Sequence, residues 1–270
     1  MPLENILSGR NGPLQTRPPR QHYRFLLADT RGYYALGDLY LIWGKYKRAQ
    51  QVFTQTLKED QNDARADYGL GLAYENQGQY KKALMHYRRR AELDPSNSTG
   101  PNKCGDMHLV LDQQKQAVKQ FKQVQRLSPK SSVGFRRSGD VYRLRGEFSA
   151  AVAMYRQALK REPRDADAHY GLALAYEGEE NYQAAMQHYS HAIELAPGDA
   201  RLHFARGDLN LTLARYYEAL LDFDQVVELA PDAIEGYYGR GLTYEAQEDY
   251  PKGVAEFEKA RICDSQSGRR

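Results

Sequence analysis

The feature that most constrains this chain is an internal repeat. The octapeptide YGLGLAYE begins at Tyr68, and the near-copy YGLALAYE begins at Tyr170. The separation is three times 34 residues, and a fixed period of this length is the signature of an array of small structural units. Alignment on that period gives seven consecutive repeats without insertion. They begin at Thr30, Ala64, Ser98, Ser132, Ala166, Ala200 and Ile234, and the last ends at Ser267.

The recurring columns of the alignment describe a pair of helices. Position 8 is glycine in six repeats and position 20 is alanine in six, so two helices can approach closely there. Positions 11 and 24 are mainly aromatic, and each lies on one face of its helix with the small residues. Gly44, Gly78 and Gly146 indicate the turn between the helices, and a proline at position 32 ends the second helix in five repeats. Each unit is a helical hairpin that completes its core by stacking on its neighbour.

This pattern resembles the tetratricopeptide repeat family over residues 30–267. The resemblance implies an all-α fold, a right-handed α-solenoid (superhelix) of seven helix-turn-helix units with about fourteen helices. Outside the repeats, the Pro- and Arg-rich composition of residues 1–29 predicts a basic N-terminal arm that is partly disordered, with a short helix at 21–28. Residues 268–270 are a tail.

The third repeat departs furthest from the others. Gly100-Pro101 falls where its first helix should begin, which predicts a short helix that starts at or after Pro101. No glycine marks its hairpin turn, and Arg90 occupies a packing position just before it. We therefore expect the junction between the second and third repeats to be the loosest in the array.

Two columns on the first helix divide the repeats into two kinds. The second, fifth and seventh repeats carry Leu at position 9 and Glu at position 12, whereas the others carry Asp at position 9. Position 12 is Leu in three of those four. Two interpretations remain open: duplication of a two-repeat block, which we favour, or a groove whose lining alternates to match its ligand.

The resemblance also implies where a ligand would bind. In the family, positions 2, 5, 6, 9, 12 and 13 of the first helices face a concave groove. Position 5 is aromatic in five of the seven repeats, and the middle repeats are polar and basic. The candidate ligand-binding residues are Tyr34, Tyr68, Asn102, Lys103, Arg136, Arg137, Arg143, Tyr170, Phe204 and Tyr238. Tyrosines along a groove suit an extended peptide, but aromatic residues at helical spacing are equally typical of a core.

No enzymatic, cofactor or metal chemistry is predicted. His188, His191 and Glu194 follow at three-residue steps on a helix, but their positions point outward, and such pairs are common on polar helix faces. The segment GYYGRG at 236–241 lies within a helix and lacks the spacing of a phosphate-binding loop. The two-carboxylate clamp of some family members requires Lys at position 5 and Asn at position 9, and no repeat has either.

Charge is distributed unevenly along the chain. Residues 1–165 contain 29 Lys and Arg against 16 Asp and Glu, whereas residues 166–270 contain 9 against 19. This division favours protein partners that are acidic toward the 1–165 part, charge-driven self-association, or different partners at the two ends. Nucleic acid is the least favoured ligand because the aromatic residues lie outside the basic middle. Membrane contact would be peripheral or through a partner.

Three functions are compatible with these observations. The first is a non-catalytic adaptor that holds a protein segment in the groove. The others are a permanent structural subunit of a larger assembly and the substrate-presenting arm of an enzyme complex.

Cys104 and Cys263 form no CxxC pair, and the chain shows no secretory leader or long apolar run. The expected location is therefore cytoplasmic or another reducing intracellular compartment.

Overall fold

The computed structural model describes residues 30–267, which form fourteen helices and no strand. In chain order they are α1 (Thr30–Ile42), α2 (Tyr46–Glu59), α3 (Ala64–Glu75), α4 (Tyr80–Leu93), α5 (Thr99–Val110), α6 (Gln114–Leu127), α7 (Val133–Leu144), α8 (Phe148–Leu159), α9 (Ala166–Gly178), α10 (Tyr182–Leu195), α11 (Ala200–Thr212), α12 (Tyr216–Leu229), α13 (Ile234–Ala246) and α14 (Tyr250–Ser267). Each odd-numbered helix and the even-numbered helix after it form one repeat. The predicted all-α array of seven helix pairs is confirmed. The predicted arm at 1–29, its short helix at 21–28 and the tail at 268–270 lie outside the described residues.

The chain divides into two compact units, of which the first ends at Leu93 and the second begins at Asp94. The division falls between the second and third repeats. Within each unit, every helix packs on the next one along the chain. The looseness expected at this junction stays a prediction.

An aromatic ring at position 24 forms the centre of each repeat. These rings are fully buried in the first six repeats: Phe53, Tyr87, Phe121, Tyr155, Tyr189 and Phe223. The ring of Phe53 occupies the space that a side chain would need at two glycines. A Cβ at Gly37 of the same repeat, or at Gly69 of the next, would lie 2.4 Å from it. One ring therefore joins the two helices of its own repeat and the first helix of the following repeat.

The prediction of a shortened first helix in the third repeat was wrong. Helix α5 begins at Thr99 and has 12 residues, as many as α3 and α7. Pro101 lies in the first turn, where a missing N–H breaks no hydrogen bond of the helix. The amide of Thr99 donates to the Asn97 side chain at 2.9 Å, so a local side chain supports the helix start.

All seven hairpin turns place position 15 in the left-handed region. Glycine occupies this position in three repeats, with φ near +70° at Gly44, Gly78 and Gly146, as predicted. The other four repeats adopt the same conformation without glycine. These residues are Asp112, Glu180, Ala214 and Glu248, with φ between 55° and 62°. Since a Cβ in this region crowds the following carbonyl oxygen, these four turns are strained locally.

We predict that Ala214→Gly raises the stability of the protein by about 0.5–1 kcal/mol, because relief of the left-handed strain exceeds the entropy that glycine adds to the unfolded chain. The reciprocal variant is Gly146→Ala, since a Cβ there would meet no atom within 4 Å and only the backbone conformation is tested. It should lower stability by about 1 kcal/mol. Thermal unfolding followed by circular dichroism measures both. Equal melting temperatures for all three proteins would contradict the prediction.

Candidate functional site

The first helices of the third to sixth repeats line a cleft of ≈ 330 Å³ in the second unit. Every lining residue falls at position 2, 5, 6, 9, 12 or 13 of its repeat. They are Leu109, Arg136, Arg137, Asp140, Arg143, Leu144, Asp167, Tyr170, Gly171, Leu174 and Arg201. The structure thus brings four of the predicted site residues together: Arg136, Arg137, Arg143 and Tyr170. We call this surface the first-helix cleft.

Most charges in the first-helix cleft are paired within the chain. Arg137 pairs with Asp106 and, at 3.1 Å, with Asp140. Arg136 lies 3.4 Å from Asp167, and Arg201 lies 3.5 Å from the same carboxylate. Apart from Arg137–Asp140, which lies within α7, these pairs cross between neighbouring repeats, so they hold adjacent first helices in register.

Arg143 is the exception. Within residues 30–267 it has no ion-pair partner, and its Nε is buried without a hydrogen-bond acceptor. Its neighbour Leu144 is 56% exposed at the wall of the cleft. The cleft therefore offers a cation that lacks a carboxylate beside an exposed apolar side chain.

The aromatic residues at position 5 are both packed and accessible. Tyr170 is half-buried, and its ring tilts against the core ring of Tyr189 with centroids 6.0 Å apart. Phe204 packs in the same way on Phe223 at 5.8 Å. Tyr238 keeps 49% of its surface exposed. These rings contact the core and still keep part of their surface accessible, and their role in ligand binding stays a prediction.

The remaining predicted site residues do not line the cleft. In the second unit, Asn102 and Lys103 are half-buried on α5, and the amide oxygen of Asn102 has no hydrogen-bond partner in the described part of the chain. In the first unit, Tyr68 packs on Tyr87 with centroids 5.8 Å apart. Tyr34 donates a hydrogen bond to Asp63, and burial together with this bond raises the pKa of Tyr34 to about 12.

Buried tyrosine hydroxyls account for the glutamate at position 12 in the second and fifth repeats, whereas the seventh repeat carries Glu245 with Phe257 at position 24. Where position 24 is tyrosine, its hydroxyl donates to a carboxylate on the first helix. In the fifth repeat, Tyr189 donates to Glu177 at position 12 with an O–O distance of 2.7 Å. In the second repeat, Tyr87 donates to Glu75 in the same way. The first, third and sixth repeats have Phe at position 24 and Leu at position 12, so they need no acceptor.

The fourth repeat uses a different acceptor. Tyr155 donates to Asp140 at position 9, at 2.7 Å, and position 12 is Arg143. Burial, reinforced by the nearby carboxylate, raises the pKa of both Tyr155 and Tyr189. The covariation of positions 9, 12 and 24 was visible in the sequence, but comparison of positions 9 and 12 alone missed it.

Three histidines of the fifth repeat form a stack. His169 on α9 lies against His188 and His191 on α10, with ring centroids 5.3 and 5.5 Å apart. The Nδ1 atoms of His169 and His188 are 3.0 Å apart, which requires at least one neutral ring. His188 is half-buried and also stacks on Tyr176, so the prediction that it points outward was wrong. In residues 30–267, no three His, Cys, Asp or Glu side chains are arranged to hold a metal ion.

The chain belongs to the tetratricopeptide repeat family. The family model matches residues 34–98, 136–200 and 204–268, which together make up most of the chain. No curated protein matches the sequence significantly. This family fold is in general a scaffold for protein interactions, and it indicates no catalytic class.

Solved structures of the same fold share little sequence with this chain. A tetratricopeptide repeat protein from Parabacteroides merdae has a TM-score of 0.70 at 17% identity, covering 87% of this chain and 93% of its own. PilF from Pseudomonas aeruginosa has a TM-score of 0.64 at 20% identity, covering 77% and 94%. A chain of the APC/C hetero-tetramer Cut9–Hcn1 has a TM-score of 0.67 at 18% identity, covering 83% of this chain. This chain spans only 45% of that one.

Membrane-spanning segments are not found in the part of the chain that the structure describes. None of its helices combines the length and the apolar character needed to cross a bilayer.

We predict that Tyr189→Phe and Glu177→Leu each lower the free energy of unfolding by about 1 kcal/mol, because the first leaves the half-buried Glu177 and the second leaves the buried Tyr189 without its hydrogen-bond partner. The double variant should cost less than the sum of the two, because it recreates the Phe–Leu pairing of the first, third and sixth repeats. Urea denaturation of the four proteins measures the coupling. If the destabilisation of the double variant equals the sum of the two single effects, the Tyr189–Glu177 hydrogen bond does not determine which residues occur together at positions 12 and 24.

We predict that acid weakens the fifth repeat. Burial, with the nearby His169, His191 and Arg156, lowers the pKa of His188 to about 4 from its ordinary value of 6.5. The unfolded chain therefore binds this proton first, so the stabilisation is complete above pH 6.5 and is lost as the pH falls toward 4. We expect a loss of roughly 1–2 kcal/mol by pH 4.5, reduced from the full pKa difference by partial exposure. Between pH 6.5 and pH 4.5, the variant His188→Leu should lose less stability than the unmodified protein. An equal loss of stability in the two proteins would exclude His188 as the cause.

Proposed function

We propose that this protein is a non-catalytic adaptor that binds an extended segment of another protein in the first-helix cleft. The observation that carries the proposal is Arg143. It is the one arginine of the cleft without a carboxylate partner in the described chain, so a hydrogen bond from its guanidinium to a partner's carboxylate would supply the opposite charge that it lacks. A charge-assisted hydrogen bond of this kind is stronger than a neutral one and fixes orientation.

Apolar side chains beside Arg143 support the same proposal. Leu144 is exposed in the cleft, and the half-buried Tyr170 lines the same cleft. Tyrosine contributes a rigid apolar face and a hydroxyl at modest entropic cost, which suits binding of an extended segment. The cleft therefore combines a small apolar anchor site with a directed charge.

A second candidate function is a permanent structural subunit. Tyr217 is 70% exposed and Leu221 is 49% exposed, one helical turn apart on the outer face of α12. An exposed apolar pair at this spacing favours docking of another chain on the second-helix side. The Cut9–Hcn1 chain of the same fold is itself part of a hetero-tetramer. The substrate-presenting arm of an enzyme has no observation of its own in its favour.

We predict that a photoreactive amino acid at position 144 cross-links to the native partner, whereas the same residue at position 217 does not. The full chain would be expressed in its own cells, irradiated, and the adducts identified by mass spectrometry. Arg143→Gln should reduce the yield at position 144, and Tyr217→Ala serves as the matched control on the other side of the repeat. Adducts at position 217 alone would support the structural-subunit function and overturn the adaptor proposal.

A further inference from the structure

Two pairing rules give the charged groups of the first helices a polar partner within the chain in most repeats. A carboxylate at position 12 accepts from the tyrosine at position 24, as Glu177 does from Tyr189. An Asp at position 9 pairs with an arginine at position 2 or 6 of the following repeat. Asp38 pairs with Arg65 in this way at 3.1 Å, and Asp106 pairs with Arg137. Groups that satisfy these rules already have a hydrogen-bond or ion-pair partner within the chain and are weaker candidates for ligand recognition.

In the second unit, the departures from these rules leave charges of opposite sign at opposite ends. In the fourth repeat, Tyr155 uses Asp140, so position 12 can hold Arg143, which lies near the Tyr155 hydroxyl and has no carboxylate partner within residues 30–267. In the sixth repeat, Asp208 is followed by Glu235 and Gly239 at positions 2 and 6, so neither of these positions supplies an arginine. In the seventh repeat, position 24 is Phe257, so Glu245 at position 12 has no tyrosine to bind.

The carboxylates of Asp208, Glu235 and Glu245 have no ion-pair partner within residues 30–267, and all three residues are exposed. Partial desolvation raises the pKa of Asp208, which is the expected response of a carboxylate without a compensating cation. The first-helix face of the second unit therefore runs from a spare cation in the fourth repeat to spare anions in the sixth and seventh.

We propose that this face selects and orients a partner segment whose acidic and basic residues are separated into two blocks. The acidic block lies over Arg143, and the basic block lies over Asp208, Glu235 and Glu245. A segment with the same charges interspersed would place like charges against at least one end, which costs affinity. This inference rests on the proposed function, since it concerns the segment that the first-helix cleft receives.

The probes are two fluorescein-labelled synthetic peptides of identical composition, with four Glu, four Lys and a Leu-Ser spacer. One has the charges in two blocks and the other alternates them. Binding to the full chain is measured by fluorescence anisotropy at low ionic strength. We expect the block peptide to bind several-fold more tightly. Arg143→Gln and Asp208→Asn should each weaken it about two- to fivefold and leave the alternating peptide unchanged.

Two control variants remove the same charges elsewhere. Lys160→Gln alters an exposed residue directly after α8, and Glu258→Gln alters an exposed residue on α14; both lie outside the first-helix face. They should change binding of neither peptide, which separates local recognition from the effect of net charge.

Orientation provides the second readout. A photoreactive group at the acidic end of the block peptide should give adducts on α7, and one at the basic end should give adducts on α11 or α13. Equal affinity of the two peptides, absence of binding by both, or the same adducts from both ends would overturn the inference. The adaptor function is tested separately by cross-linking of the native partner at position 144. If that cross-link forms while the peptide experiment fails, the charge-block inference is wrong and the proposed function is not.

Discussion

The structure depends on one contact, the insertion of an aromatic ring at position 24 between two first helices. The ring of Phe223 occupies the space beside Gly207 in its own repeat and beside Gly239 in the next, where a Cβ would lie 2.9 and 2.5 Å away. Burial of such a ring contributes a few kcal/mol. Because each ring touches two repeats, intra-repeat and inter-repeat stability share the same residues. This is the physical basis for nearest-neighbour stabilisation in repeat arrays.

The polar groups around that ring link the core to the surface. A tyrosine at position 24 places a hydroxyl at the edge of the core, and the first helix must supply an acceptor. In the fifth repeat, Glu177 at position 12 accepts the hydrogen bond from Tyr189, so this side chain is already engaged within the repeat. Where Asp140 is the acceptor, position 12 becomes available, and Arg143 stands there without a carboxylate. The chemistry offered to a partner therefore depends on how each repeat satisfies its buried hydroxyl.

The repeat period, the helix pairs and the glycine turns could be read from the sequence because they depend on local spacing. Three features could not. Pro101 was expected to shorten its helix, but a first turn tolerates proline, and the structure shows that the helix begins at Thr99. His188 was expected to face outward, although the preceding helix supplies His169 and Tyr176 to stack on it. The first-helix cleft was predicted by position, but which of its arginines lack a carboxylate depends on side-chain geometry across repeats.

The coupling between positions 9, 12 and 24 has a consequence for engineering this array. A consensus sequence averages each column independently, so it can combine the tyrosine of one kind of repeat with the leucine at position 12 of the other. That hybrid would bury a hydroxyl without an acceptor, which is a worse arrangement than either parent. The smallest interchangeable part of this protein is thus a matched trio of side chains, and whole repeats can be shuffled with fewer penalties than single columns.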